Sequence, residues 1–219
     1  MNIVVPQIDD SNFIKLENLI DSEFESAFIE SVIDSSEERL DCFNILEKKI
    51  EKDGGNIILG WQIWKSEILI EAEAHAVWEN SDGVLYDISP KEFNLKPEEI
   101  LFIEDPRLKY EGKQIDNIRL NITKNKLVDH FIELSKLFFH YRNKGKRADY
   151  HDLSLILNEN EINEIQEIYM WKTRLNVFIY QGNTVDSLCF CGGTKRYKNC
   201  HGKDFYKQIK RIKTKPNNG

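Results

Sequence analysis

The sequence predicts an α+β protein: N-terminal helices, an antiparallel β-meander, C-terminal helices and a small terminal clip. Three observations predict it. Apolar residues recur every three or four positions near both ends of the chain, the helical period. The middle is dense in branched and aromatic residues, and three of the four cysteines crowd into residues 189–200.

Helical spacing appears first in "SNFIKLENLI" and again in "SEFESAFIESVI". "DSSEERLDCFNILEKKIEKDGG" is the clearest helix, with Leu40, Phe43, Leu46 and Ile50 on one stripe and Gly54-Gly55 as its stop. The texture then changes. "NIILGWQIW", "EILIEAEAHAVWEN" and "VLYDI" read as strands, the second joined to the third by "SDG". Pro90, Pro97 and Pro106 mark a loop-rich passage in which "EILFIE" fits a further strand. Helical patterns return in "NKLVDHFIELSKLFFHYRNKG" and "NEIQEIYMWKTRLNVFIYQG" before the clip. The expected division is an α+β body over residues 1–185 and a tail over 186–219.

Composition excludes the disordered and fibrous classes, because 41% apolar and 31% charged residues describe an ordinary globular chain. "MNIVVPQIDD" has no basic region followed by an apolar run, so no signal peptide is expected. Apolar stretches are broken by charge within about ten residues, too short to span a bilayer. The expected location is the cytoplasm, where clustered cysteines stay reduced and favour metal over disulfides. The net charge of −7 hides an asymmetry. From Cys189 onward there are nine Lys/Arg against one acid, Asp204, whereas the preceding 188 residues carry 21 basic and 36 acidic side chains. A basic tip on an acidic body is the part expected to meet an acidic partner.

In "CFCGGTKRYKNCHG" the spacing is Cys189-x-Cys191, eight residues, then Cys200-His201. Three thiolates and an imidazole make a tetrahedral set suited to one structural Zn2+. Gly192-Gly193 allows a tight turn after the first pair, and Lys195, Arg196 and Lys198 offset the thiolate charge. With four protein ligands such a site is closed and leaves no position for a substrate. The stretch resembles the SEC-C motif, the zinc-binding C-terminal tail of the SecA preprotein translocase, carried also by many otherwise unrelated bacterial proteins. Cys189, Cys191, Gly192, Gly193, Lys195, Tyr197, Lys198, Cys200, His201 and Gly202 fall on its pattern, with Gly193 in place of a Ser, Thr194 of a Gly and Arg196 of a Lys. The resemblance implies zinc at Cys189, Cys191, Cys200 and His201, and contacts with a protein or a ribosome. The segment from Gly54 to Pro90 is similar to the body of bacterial proteins that also end in SEC-C tails, which brings no activity with it. No GxxxxGK[ST] stretch exists in the chain, so the ATPase motor is absent.

The remaining cysteine is Cys42, followed by His75 and Asp87. The order Cys, His, Asp is shared by papain-like and transglutaminase-like enzymes, in which the imidazole deprotonates the thiol and the carboxylate orients the ring. If Ser81-Asp82-Gly83 is a three-residue loop with Gly83 left-handed, Asn80 pairs with Val84, and His75 and Asp87 project from one face as diagonal neighbours. Ile68, Ile70, Ala72, Ala74, Ala76 and Trp78 fill the other face, the expected core, so the His75 face is expected to look toward solvent or a cleft. Cys42 has two readings: an activated thiol at a helix N-terminus capped by Asp41, or an inert thiol inside a longer helix opened by Ser35 and Glu38.

Trp61 and Trp64 cannot share a strand face, so one is expected in the core. His130, His140 and His151 have no ligand-like spacing and are expected to be solvated or packed. The tail "KDFYKQIKRIKTKPNNG" reads as a solvated basic segment with no base-reading element. Two functions stay open: a zinc-dependent binding or adaptor protein whose basic tail docks a protein partner, with nucleic acid or the ribosome as further partners, and a thiol hydrolase or transferase acting on an amide through Cys42, His75 and Asp87.

Overall fold

The computed structural model describes residues 2–33, 42–91, 97–149 and 153–213. Leu40, Asp41, Ser35, Glu38 and His151 lie outside them. The chain divides into two compact units. One holds Asn2–Tyr110 and Asn117–Ile122; the other holds Glu111–Asp116 and the chain from Thr123 on. The class is α+β, as the sequence implies.

The first unit is a five-stranded mixed barrel with an added strand and two outer helices. α1 (Ser11–Ile20) is opened by Asp10, whose carboxylate accepts from the amides of Asn12 (2.8 Å) and Phe13. α2 (Cys42–Asp53) ends at Gly54, where φ of +73° suits glycine. Strands β1 (Ser26–Ser31), β2 (Asn56–Lys65), β3 (Leu69–Glu79), β4 (Leu85–Asp87) and β5 (Glu99–Glu104) close in the order β2-β5-β1-β4-β3, with β3 pairing back to β2. β6 (Ile118–Asn121) adds to the outer edge of β3. The expected β2–β3–β4 meander is present, and β1 and β5 complete it into a barrel.

One element differs in kind from expectation. "SEFESAFIESVI" has helical spacing, yet Ser26–Ser31 is a strand, antiparallel to β5 and parallel to β4. Its residues satisfy a two-residue period as well: Ile29 points inward and Ser31 follows it on the same face. Pairing on both edges overrides the local helical preference.

Both faces of the sheet are covered. Inside lie Ile29, Val77, Ile100 and Phe102, with Ile58 and Leu85 packed beside them, so every barrel strand contributes. Outside, Ala76 packs under Phe43 and Leu46 of α2. The alanine face is therefore core, as expected. On the other face His75 lies in a second core and not at solvent, being 6% exposed, while Glu73 on the same face is exposed. Gly60 makes the closure feasible. A Cβ there would stand 2.4 Å from the Phe102 ring and 2.2 Å from the Ile103 carbonyl oxygen.

The second unit packs α3 (Lys126–Arg142), α4 (Glu159–Tyr180) and α5 (Phe205–Lys213). α3 buries Leu127, Val128, Ile132, Leu134 and Leu137; α4 buries Ile168, Leu175, Phe178 and Ile179. Asn158 and Glu161 form a capping box at the start of α4. α5 replaces part of the expected solvated tail. Phe205 and Ile209, one turn apart, are buried, and Tyr141 donates to the Ile212 carbonyl at 3.0 Å.

Candidate metal centre

The clip begins as a two-stranded turn. The Cys189 amide donates to Lys195 O (3.0 Å) and the Tyr197 amide to Ser187 O (2.9 Å). Between them Gly192, at φ +79°, reverses the chain so that Cys191 returns toward Cys189. A single 3-10 turn, Tyr197–Asn199, then swings Cys200 and His201 onto the same point. Gly202 is required here: a Cβ would lie 2.5 Å from the Tyr197 ring, which is fully buried.

The ligand atoms of Cys189, Cys191, Cys200 and His201 all lie within 4.8 Å of one another, close enough to hold a metal ion. His201 Nδ1 is 3.2 Å from Cys189 Sγ and 3.5 Å from Cys200 Sγ, and Cys191 Sγ is 3.7 Å from Cys200 Sγ. A tetrahedral ion bonded to sulfur at about 2.3 Å and to nitrogen at about 2.0 Å requires S···S edges of about 3.8 Å and S···N edges of about 3.5 Å. These three edges lie close to that figure. The electrostatics of the donor set ask for a cation. The Gly193 amide, then the thiols of Cys200 and Cys189, hold Cys191 below the usual thiol range, while Cys200 is pushed up to about 11, first by its contact with Cys191. One thiolate opposes the next unless a positive charge sits between them. Burial and then the Arg174 charge hold His201 below the usual histidine range, in the neutral form that a ligand needs.

Aromatic rings brace the centre. Phe190 lies 4.7 Å from the His201 ring, and Trp171 stands edge-on to both His201 and Phe205. The Tyr197 hydroxyl meets His130 Nδ1 at 3.0 Å, and His130 stacks flat on Phe205 at 3.9 Å. His130 is thus a packed histidine, held below its usual pKa by burial; His140 is exposed. The tyrosine was legible as part of the motif. Its neighbours His130 and Phe178 come from two separate helices, and no local spacing announces them.

The barrel holds a second group of interest. The hairpin has the expected register: the Asn80 amide donates to Val84 O, Trp78 faces Tyr86, and Gly83 has φ +78°. His75 Nε2 lies 3.0 Å from Asp87 Oδ1. Because a carboxylate only accepts, Nε2 carries the proton. Asp87 also takes Lys91 Nζ at 2.7 Å, the Ser31 hydroxyl at 2.8 Å and the Ser89 amide at 3.3 Å, while Lys91 donates to Gln62 Oε1 at 3.1 Å. Burial alone would raise the Asp87 carboxyl; the His75 hydrogen bond and charge, with the Lys91 ammonium, outweigh it and hold it well below the usual range. Lys91, Gln62 and Ser31 gave no signal in the sequence beyond the four-residue step from Asp87 to Lys91.

Cys42 stands apart from this group, on α2. It is the first described residue of α2, half-buried, beside Phe43, Leu46 and Ala76. Ala76 follows His75 in β3 and points to the opposite face. The structure brings His75 and Asp87 together and sets Cys42 against the outer face. Trp61 and Trp64 take opposite faces and are both buried, donating to Asp105 (2.9 Å) and Glu73 (3.0 Å).

No protein-family model, curated protein or solved structure matches the chain. Among the described residues no helix is long and apolar enough to cross a membrane, and the Cys189–His201 group is the one cluster that could hold a metal.

Proposed function

We propose that this is a zinc-binding protein of the SEC-C kind, working in the cytoplasm, whose clip docks a protein partner with an acidic surface. The observation that carries the reading is the four-ligand cluster, whose donor atoms all lie within 4.8 Å of one another. Three thiols and an imidazole in that figure favour zinc over harder ions. Zinc would supply cross-linking of a short segment that has too little apolar surface to fold by itself. With every ligand position taken by the protein, the centre is suited to holding a surface and not to turning over a substrate. That surface is basic: Lys195, Arg196, Lys198, Lys203 and Lys207 are all exposed.

Elemental analysis of the purified chain is expected to find about one zinc per molecule, lost in Cys189→Ser/Cys200→Ser. Cobalt exchanged into the site should show the visible absorption of a tetrahedral thiolate centre. Docking is read by retention on immobilised polyglutamate and on structured RNA. Polyglutamate retention that falls on chelation and in Lys195→Glu/Lys207→Glu supports a protein partner. Retention by RNA alone, or a metal-free chain with an intact clip, overturns the proposal.

The thiol-enzyme reading is supported by one observation, the His75–Asp87 hydrogen bond. It requires the Cys42 sulfur to reach a ring on the far side of β3. Selective alkylation of Cys42 that depends on His75 would favour it; a rate unchanged in His75→Ala would end it.

A further inference from the structure

We propose that the clip is also an oxidation site, in which Cys191 and Cys200 form a disulfide that disbands the ligand set and loosens α5; this rests on the zinc reading above. The three cysteines of the cluster differ in access. Cys189 is 4% exposed, Cys200 is half-buried and Cys191 is exposed. A soluble oxidant therefore meets Cys191 first. Its nearest sulfur is Cys200, 3.7 Å away. Closing that gap to a bond of about 2.05 Å needs movement of only one short turn. Cys191 sits on the Gly192-Gly193 reversal, where nothing lies within 4 Å of a Cβ placed on Gly192, so the turn has room to shift.

The oxidant is a peroxide. The Cys191 thiolate attacks one peroxide oxygen, the O–O bond breaks, and with one proton a first water leaves behind a sulfenic acid. The Cys200 thiolate attacks that sulfur, the S–S bond forms, and with a second proton the hydroxyl departs as water. Two thiolates give up two electrons and hydrogen peroxide takes them. Only Cys189 and His201 then remain as donors, too few to retain the ion.

The same aromatic cluster carries the change to α5. His201 packs on Phe190 and, through Trp171, on Phe205, the first residue of α5. Phe205 stacks on His130, whose Nδ1 meets the Tyr197 hydroxyl, and Tyr197 lies between the ligand pairs in sequence. The described part of α5 is nine residues long, too short to persist in water without its anchors. Its anchors are Phe205 and Ile209. Disbanding the ligand set removes the support beneath the first of them.

The test uses the full chain with its zinc content measured first. Hydrogen peroxide is added, and three quantities are followed: zinc released to a chromogenic chelator, disulfide position by peptide mapping, and tryptic cleavage after Lys207, Lys210 and Arg211. One zinc should leave per Cys191–Cys200 disulfide, and α5 should be cut at least about tenfold faster. Thiol reductant with zinc should reverse both changes. Cys191→His keeps four ligands while removing the attacked thiol, and is expected to hold zinc and α5 under the same peroxide. A disulfide that maps to Cys189, or zinc loss with α5 cleaved no faster, overturns the proposal. So does a zinc-loaded chain that keeps its metal under peroxide. An untreated chain without zinc overturns the zinc reading itself, and this one with it.

Discussion

Substituting Asp87→Asn removes one charge from the barrel interior without changing side-chain volume. Asp87 is fully buried and Lys91 is 5% exposed, so the ammonium at 2.7 Å loses its counter-ion where water cannot replace it. Breaking one side of a buried pair costs roughly 3–5 kcal/mol. The amide oxygen can still accept from the Ser31 hydroxyl, but the amide nitrogen then faces His75 Nε2 and the Ser89 amide, whose lost hydrogen bonds add to the cost. Against about 5–15 kcal/mol for a whole domain, the change takes about a fifth or more of the barrel's stability. At about 4 °C per kcal/mol the melting temperature should fall by roughly 12–20 °C. Urea unfolding followed by far-UV circular dichroism and by tryptophan fluorescence reads the change, since Trp61, Trp64 and Trp78 belong to this unit. Asp87→Asn/Lys91→Met removes the orphaned ammonium as well and should recover about half of the loss or more. The pH dependence has a definite sign. The folded Asp87 carboxyl is held well below the ordinary aspartate range, so its stabilisation is complete above that range and is lost as pH falls below it. Asp87→Asn should flatten that acid limb. A loss under about 1 kcal/mol, or no recovery in the double variant, would refute the reasoning.

Two further substitutions probe close approaches. Gly60→Ala drives a methyl into the Phe102 ring and the Ile103 carbonyl, and should destabilise the barrel by about 1–3 kcal/mol or more, measured by urea midpoint at constant m-value. Gly202→Ala sets a methyl against the buried Tyr197 ring, and should weaken zinc retention in a chelator competition while leaving the Asp87 acid limb unchanged.

Legibility in the sequence followed the range of the interaction. The β3–β4 hairpin was readable to the residue, because Gly83 in a three-residue loop sets the register locally, and His75 and Asp87 met as counted. The clip was readable because Cys189, Cys191, Cys200 and His201 lie within thirteen positions and a metal site demands particular atoms. β1 was misread because its partners lie far along the chain and its own spacing satisfies two periods. β6 has four half-buried residues and no distinctive pattern. Lys91 escaped because a lysine after a proline reads as surface, and only the folded barrel turns it inward. α5 was a different kind of miss: Phe205 and Ile209 are spaced for one helix face, and the run of lysines around them masked it.

The placement of β1 sets the order in which this barrel can be made. Ser26 pairs with Ile103 and Glu30 with Tyr86, so the strand emerges from the ribosome well before either neighbour. The β2–β3 hairpin can form early, from adjacent residues. Closure must wait for β5, and until then β1 is a free edge in search of a partner. Mutations that slow closure, those at Gly60 and Asp87 among them, would therefore show first as lost soluble yield during synthesis, before any defect in the finished molecule.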